Sequence, residues 1–172
     1  MFMPHRPVID GYDFAASGAT LRGSWAIGDF PRLRDKLASD AGMIDYSVEG
    51  VRDALGRAAL RLRMAGALSL TCQRCLGLLD FPVDVDTTLV LAHSESEIEA
   101  LPDDAQQPER IVASKEMRIG EMLEDELLLA VPYAPRHERC EVQGSLGDGG
   151  ASSPFADIKS LLGAGGARRR KN

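Results

Sequence analysis

Two runs of alternating apolar and polar residues meet at Cys72-x-x-Cys75, and this pattern constrains the chain more than any other. Behind the pair, Leu60, Leu62, Met64, Leu68, Leu70 and Cys72 share one parity, while Arg57, Arg61, Arg63, Ser69 and Thr71 share the other. Ahead of it, Phe81, Val83, Val85, Thr87, Leu89 and Leu91 alternate with Asp80, Pro82, Asp84, Asp86 and Thr88. Side chains on a strand point alternately to its two faces, so a period of two marks a strand with one buried face. Two such runs joined by a short segment containing Gly77 predict a long β-hairpin, with Cys72 and Cys75 side by side at its tip. Asp80, Asp84 and Asp86 are then expected across from Arg57, Arg61 and Arg63, where opposite charges help modestly.

The flanking segments complete a sheet. Met43, Ile44, Tyr46, Val48 and Val51 predict a strand over 43–51, so that 43–51, 57–72 and 78–92 form an antiparallel meander. Thr20 to Ile27 reads as another strand, and residues 8–18 as mostly irregular. Asp29-Phe30-Pro31 looks like a helix start, with Asp29 as N-cap and Phe30, Leu33 and Leu37 at helical spacing up to Ser39. Residues 93–109 are acidic and carry two prolines, which suits a loop or a short interrupted helix. Arg110 to Ala113 reads as a short edge strand. The strongest helix signal spans Ile119 to Ala130, where Ile119, Met122, Leu123, Leu127 and Ala130 form one stripe. Glu121, Glu124, Asp125 and Glu126 read as its solvated face, and Pro132 stops it. The expected fold is α+β: an antiparallel sheet, a meander with a long hairpin, packed by this helix from the C-terminal half. Residues 1–142 make the single domain. Residues 143–172 make a flexible linker and arm, Gly- and Ser-rich from Gln143 to Pro154.

Charge limits the partners. The 172 residues carry a net charge of −6, but unevenly: residues 1–75 are net +2, 76–158 net −13, and 159–172 net +5. An acidic body repels a phosphate backbone at long range, so any RNA contact must be local, through the basic tail or the Arg-bearing strand. No apolar run is long enough to span a bilayer, and the first residues show no signal-peptide pattern. The expectation is a cytoplasmic protein with no membrane partner. Three cysteines, an odd number, argue against a secreted disulfide framework.

Cys72-x-x-Cys75 and His137-x-x-Cys140 are two ligand pairs with knuckle spacing, and Cys₃His is among the usual structural zinc sets. Together they use every cysteine in the chain. These four residues are the candidate ligands, Zn2+ the candidate ion; the alternative is a turn with buried, unmetallated thiols. A redox reading of the first pair lacks the helix that should follow such a motif. The chain has no Gly-x-Ser-x-Gly elbow, no phosphate-cradling loop, and no set of nucleophile, base and oxyanion donors, so it reads as no enzyme and as binding no small-molecule substrate. Near the end, Phe155, Ile158 and Leu162 fall on one side of a short helix pattern, a candidate partner-binding peptide that could equally pack on its own domain. Arg168, Arg169, Arg170 and Lys171 are candidate RNA contacts.

Three stretches carry a resemblance. Leu70-Thr71-Cys72-Gln73-Arg74-Cys75 followed by Phe81, the run from Glu124 to His137 followed by Cys140-Glu141-Val142, and the ending Ser153-Pro154-Phe155-Ala156-Asp157-Ile158 together resemble the YceD family of large ribosomal RNA subunit accumulation proteins. The likeness is strong from Leu68 onward and weak over 1–45. It implies a factor needed for 23S rRNA accumulation through its synthesis, processing or stability. The implied partner is large-subunit rRNA or a pre-ribosomal particle, met directly or through another protein. An adaptor recruiting an RNA-processing or ribosomal protein through the arm is the alternative. Some relatives carry a cysteine-rich segment where this chain has only His137 and Cys140.

Overall fold

The computed structural model describes residues 7–100 and 108–140. All of them belong to one unit, Met1–Cys140. The elements run β1 (Val8–Ile9), α1 (Gly11–Ser17), β2 (Thr20–Ala26), β3 (Leu37–Ser39), β4 (Met43–Arg52), β5 (Ala58–Thr71), β6 (Leu78–Ala92), α2 (Glu95–Glu99), β7 (Arg110–Val112), β8 (Met117–Arg118) and α3 (Ile119–Ala130). The main sheet has the order β2-β4-β5-β6-β7, with β3 added alongside β5. All its pairings are antiparallel except β6 with β7, which is parallel. The fold is thus α+β and dominated by an antiparallel sheet.

The hairpin has the expected register and faces. β5 and β6 pair from Ala59 opposite Val90 to Thr71 opposite Leu78. Leu60, Leu62, Leu68, Leu70 and Cys72 are completely buried, and Met64 nearly so. At about 3.3 Å per residue, β5 extends for roughly 45 Å. β4 covers it only as far as Gly66; beyond that, β3 pairs with Leu70 and Ser69. The tip therefore stands clear of β4.

Ile119, Leu123 and Leu127 of α3 are completely buried, each contributing about 1.5–3 kcal/mol by leaving water. They join Trp25, Phe30, Leu33 and the inward residues of β4 and β5 in one core. α1 packs on the same face, where Gly50 is required. A Cβ there would lie 2.2 Å from the Phe14 carbonyl oxygen.

Three sequence expectations are corrected. Residues 29–39 are not a helix: they hold two 3₁₀ turns, Ile27–Asp29 and Arg34–Lys36, followed by β3. The N–H groups of Arg32 and Leu33 donate to the Glu124 carboxylate, at 2.6 and 3.3 Å, in place of an α-helical ladder. Residues 8–18 are not mostly irregular. α1 is capped by Asp10, whose side chain accepts from the Asp13 N–H, and ends at Gly18 with φ of 62°. The acidic side of α3 is not simply a solvated face, because Glu124 and Glu126 are buried. Burial, with Glu109 and Asp125 nearby, raises the Glu126 carboxyl above its usual range.

Candidate metal centre at the hairpin tip

Cys72 follows the last residue of β5, Cys75 lies on the turn, and β6 begins at Leu78. The turn closes on itself: the Cys72 N–H donates to the Gly77 carbonyl and the Leu76 N–H to the Cys72 carbonyl, both at 2.9 Å. Leu76 has φ of 59°, unique among the described non-glycine residues in being positive. Its side chain is exposed, so the left-handed backbone is imposed by the turn and not by packing of the leucine. The second ligand pair arrives on the strap that follows α3. Pro132 and Pro135 stiffen this strap, and the Gln73 N–H donates to the Pro135 carbonyl at 2.8 Å. Arg74, not singled out from sequence, adds a second tie. Its Nη2 donates to the carbonyls of His137 and Glu138, at 3.2 and 3.5 Å.

These ties bring all four predicted ligands together. The Sγ atoms of Cys72, Cys75 and Cys140 and one ring nitrogen of His137 all lie within 4.8 Å of one another. Cys72 Sγ is 3.5 Å from Cys140 Sγ, and His137 Nδ1 is 3.4 Å from Cys75 Sγ and 3.8 Å from Cys140 Sγ. A tetrahedral ion with Zn–S near 2.3 Å and Zn–N near 2.0–2.1 Å would set such separations at about 3.5–3.8 Å. The His137 Nε2–H donates to the Leu78 carbonyl at 2.9 Å. A carbonyl can only accept, so Nε2 carries a hydrogen, and in the neutral ring it is Nδ1 that turns a lone pair to the sulfurs.

Electrostatics also fit a cation. Burial opposes ionisation of Cys72, yet the backbone N–H groups of Cys75, Arg74 and His137 and the Cys140 sulfur bring its pKa down to about 5. Cys140 is lowered too, since Arg74 and His137 outweigh the effect of burial. Cys75 goes the other way. The Gly77 N–H favours its thiolate, but burial and the sulfurs of Cys72 and Cys140 push it up. His137 is raised, first by Cys140 and then by the Leu78 carbonyl. Three soft donors thus crowd together with mutual repulsion that a divalent cation relieves. The cluster can hold a metal ion.

The Arg-bearing strand is otherwise engaged. Arg61 and Arg63 both pair with Asp86, at 2.7 and 3.2 Å, and Arg57 pairs with Asp53 at 2.6 Å. Of the three expected aspartates only Asp86 makes such a pair; Asp80 lies opposite Ser69 and Asp84 opposite Ala65. The candidate contacts Phe155, Ile158, Leu162, Arg168, Arg169, Arg170 and Lys171 lie outside the described residues.

Fold and site together define a small α+β protein whose long hairpin ends in a knuckle where four side chains that could hold a metal ion converge. The family model for the large ribosomal RNA subunit accumulation protein YceD matches residues 60–157, more than half of the chain, from the start of β5's buried run through both ligand pairs. The chain belongs to the YceD family. No solved structure matches it. Among the described residues, no helix is long and apolar enough to cross a membrane.

Proposed function

We propose that this protein is a non-enzymatic, cytoplasmic ribosome-biogenesis factor required for 23S rRNA accumulation, and that Zn2+ bound by Cys72, Cys75, His137 and Cys140 fixes its hairpin tip. Family membership supports the process. The observation that carries the molecular part is the convergence of four donor atoms within 4.8 Å, from segments more than sixty residues apart. With Cys₃His, all four positions of a tetrahedral ion are taken by protein. Such closed sites are structural, whereas catalytic zinc keeps a position open for water or substrate. The ion's chemistry here is cross-linking: it ties the strap to the knuckle and presents both as one rigid surface.

A second reading rests on the sequence of the arm. Phe155, Ile158 and Leu162 would anchor a protein partner, with Arg168 to Lys171 adding contacts to RNA phosphate. In that case the factor recruits a processing enzyme or ribosomal protein to the pre-ribosomal particle.

The two readings separate in cells depleted of the endogenous protein and complemented with variants, with 23S measured against 16S rRNA. Loss of 23S rRNA with Cys72→Ser or Cys140→Ser, at normal protein level, supports the tip. Full rescue by those variants, with failure of Phe155→Ser/Leu162→Ser, supports the adaptor instead.

A further inference from the structure

Several arginines of the sheet and its surroundings are matched to carboxylates: Arg32 with Glu124 and Asp125, Arg57 with Asp53, Arg61 and Arg63 with Asp86, Arg118 with Glu121. Others are not: Arg34 and Arg52 donate to the carbonyls of Gly28 and Gly56, and Arg22 is exposed on β2 with no ion pair among the described residues. The tip gathers three arginines of this second kind. Among the described residues, no ion pair engages Arg74, Arg136 or Arg139, and all three are exposed. Glu138 is the single carboxylate within the strap 132–140. The strap thus carries two arginines against one carboxylate, with Asp80 and Asp35 among the residues lining the depressions beside it, while Arg74 also faces the Cys140 sulfur.

The same strap carries an aromatic ring with nothing packed on it. Tyr133 is fully exposed. It edges an open depression of about 640 Å³ shared with Lys36, Gln73 and Pro135. On the other flank of the strap, Arg136 and Arg139 line a depression of about 660 Å³. A fully exposed tyrosine forfeits the burial that usually holds an aromatic ring in place. Between two prolines its backbone is nevertheless stiff, and the Gln73–Pro135 hydrogen bond holds the strap against the knuckle. The surface is therefore preorganised, which lowers the ordering cost of binding.

We propose that this strap is a contact site for single-stranded RNA. Tyr133 stacks on a base, and Arg136 and Arg139 meet the phosphates on either side. Arg74 acts as a positioning residue through its bonds to the strap carbonyls. The chemistry selects single strands because a stacking ring needs a base whose face is free, which a duplex hides. Phosphate contacts supply attraction without sequence. The proposal deepens the ribosome-biogenesis reading and rests on it for the choice of RNA over protein. It assigns the contact to a segment of the folded domain other than the Arg-bearing strand.

The test is fluorescence anisotropy with the full chain, using a short mixed-sequence single-stranded oligoribonucleotide, the matching RNA duplex, and a salt titration. Tyr133→Ser should weaken single-strand binding roughly tenfold, while Tyr133→Phe should retain it because the ring is kept. Arg136→Gln/Arg139→Gln should reduce the slope of log affinity on log salt by about 1.4, two contacts at roughly 0.7 each. Thermal melting equal to wild type checks that these exposed changes leave the fold intact. The proposal is overturned if the wild-type chain does not bind the single strand, or binds the duplex equally well. It is equally overturned if the strap variants match wild type while substitution of Arg168 to Lys171 by Gln abolishes binding. The 23S to 16S ratio in complemented cells is a separate readout. Strap variants that lose RNA binding while depletion leaves 23S rRNA unchanged would sink the biogenesis reading alone. Depletion that lowers 23S rRNA, with strap variants binding normally, would sink the strap alone.

Discussion

Glu124 illustrates what a single residue does here that its neighbours in sequence do not reveal. Its carboxylate accepts from the Arg32 N–H, the Arg32 Nε–H and the Leu33 N–H, and so takes the place of backbone acceptors for the turn around Pro31. The carboxylate is buried while the guanidinium is about half exposed, so the pair is anchored on the glutamate side. The Arg32 guanidinium is in turn stabilised in its charged form by Glu124 first and then by Asp125. Glu124→Ala would leave buried donors without a partner, at a cost of about 1–3 kcal/mol for each group that water cannot reach. The expected outcome is a loss of about 2 kcal/mol or more in urea denaturation, whereas Glu121→Ala, at an exposed site, should change stability by less than about 0.5 kcal/mol. Equal effects of the two would mean that Glu124 is not the acceptor that orders this turn. From sequence, Glu124 was indistinguishable from the acidic residues around it, because its partner lies 92 positions away.

Among the elements, the hairpin was legible and its surroundings less so. Period-two alternation reports burial on one face directly, and both long strands followed it to within a residue or two. The 29–39 segment misled because Phe30, Leu33 and Leu37 do all turn inward, at a spacing a helix would share; Glu124 decides the backbone instead. α1 carried its own signals in Asp10 and Gly18, but seven residues are too few for periodicity to speak. The parallel β6–β7 pairing depends on a connection through residues 93–109, whose composition says nothing about strand direction. The hairpin also has a pH signature. Arg61 first, and Arg63 with it, hold the Asp86 carboxyl down to about 2 against the opposing effect of burial. A depressed carboxylate contributes stability above its unfolded pKa, near 3.9, and that contribution disappears as pH falls through about 2. Asp86→Asn should therefore be less stable than wild type at neutral pH, with the gap closing between about pH 4 and pH 2. Since the pair is nearly half exposed, solvent and salt keep the gap small. A gap independent of pH in urea titrations would show that the ion pairs do not set this carboxyl.

At the scale of the whole molecule, the proposed function rests on the hairpin tip and, under the adaptor reading, on the arm. The four candidate ligands were legible as two x-x-spaced pairs, and the fold supplied the missing fact, their convergence. What spacing could not show was the frame around them: Arg74 bridging to the strap, the Leu78 carbonyl accepting from the His137 ring, and the pairing of Arg61 and Arg63 with the one carboxylate of Asp86. Composition sets residues 143–172 apart, and we propose that they act as an extension of the domain and not as part of its core. Deleting 153–172 should then leave the melting temperature within about 2 °C of the full chain, a shift worth well under 1 kcal/mol for a domain of this size. Under the adaptor reading the same deletion should lower 23S rRNA in cells. A large fall in melting temperature would instead place the arm in the core.

The most direct measurement is the zinc content of the full chain, purified without chelator, set beside its stability before and after metal removal. One zinc ion per chain is expected, lost in Cys72→Ser and Cys140→Ser, with a lower melting temperature once the ion is stripped and recovery when Zn2+ is returned. A chain that purifies without metal, binds no added Zn2+, and melts identically with and without chelator would contradict a metal-built tip.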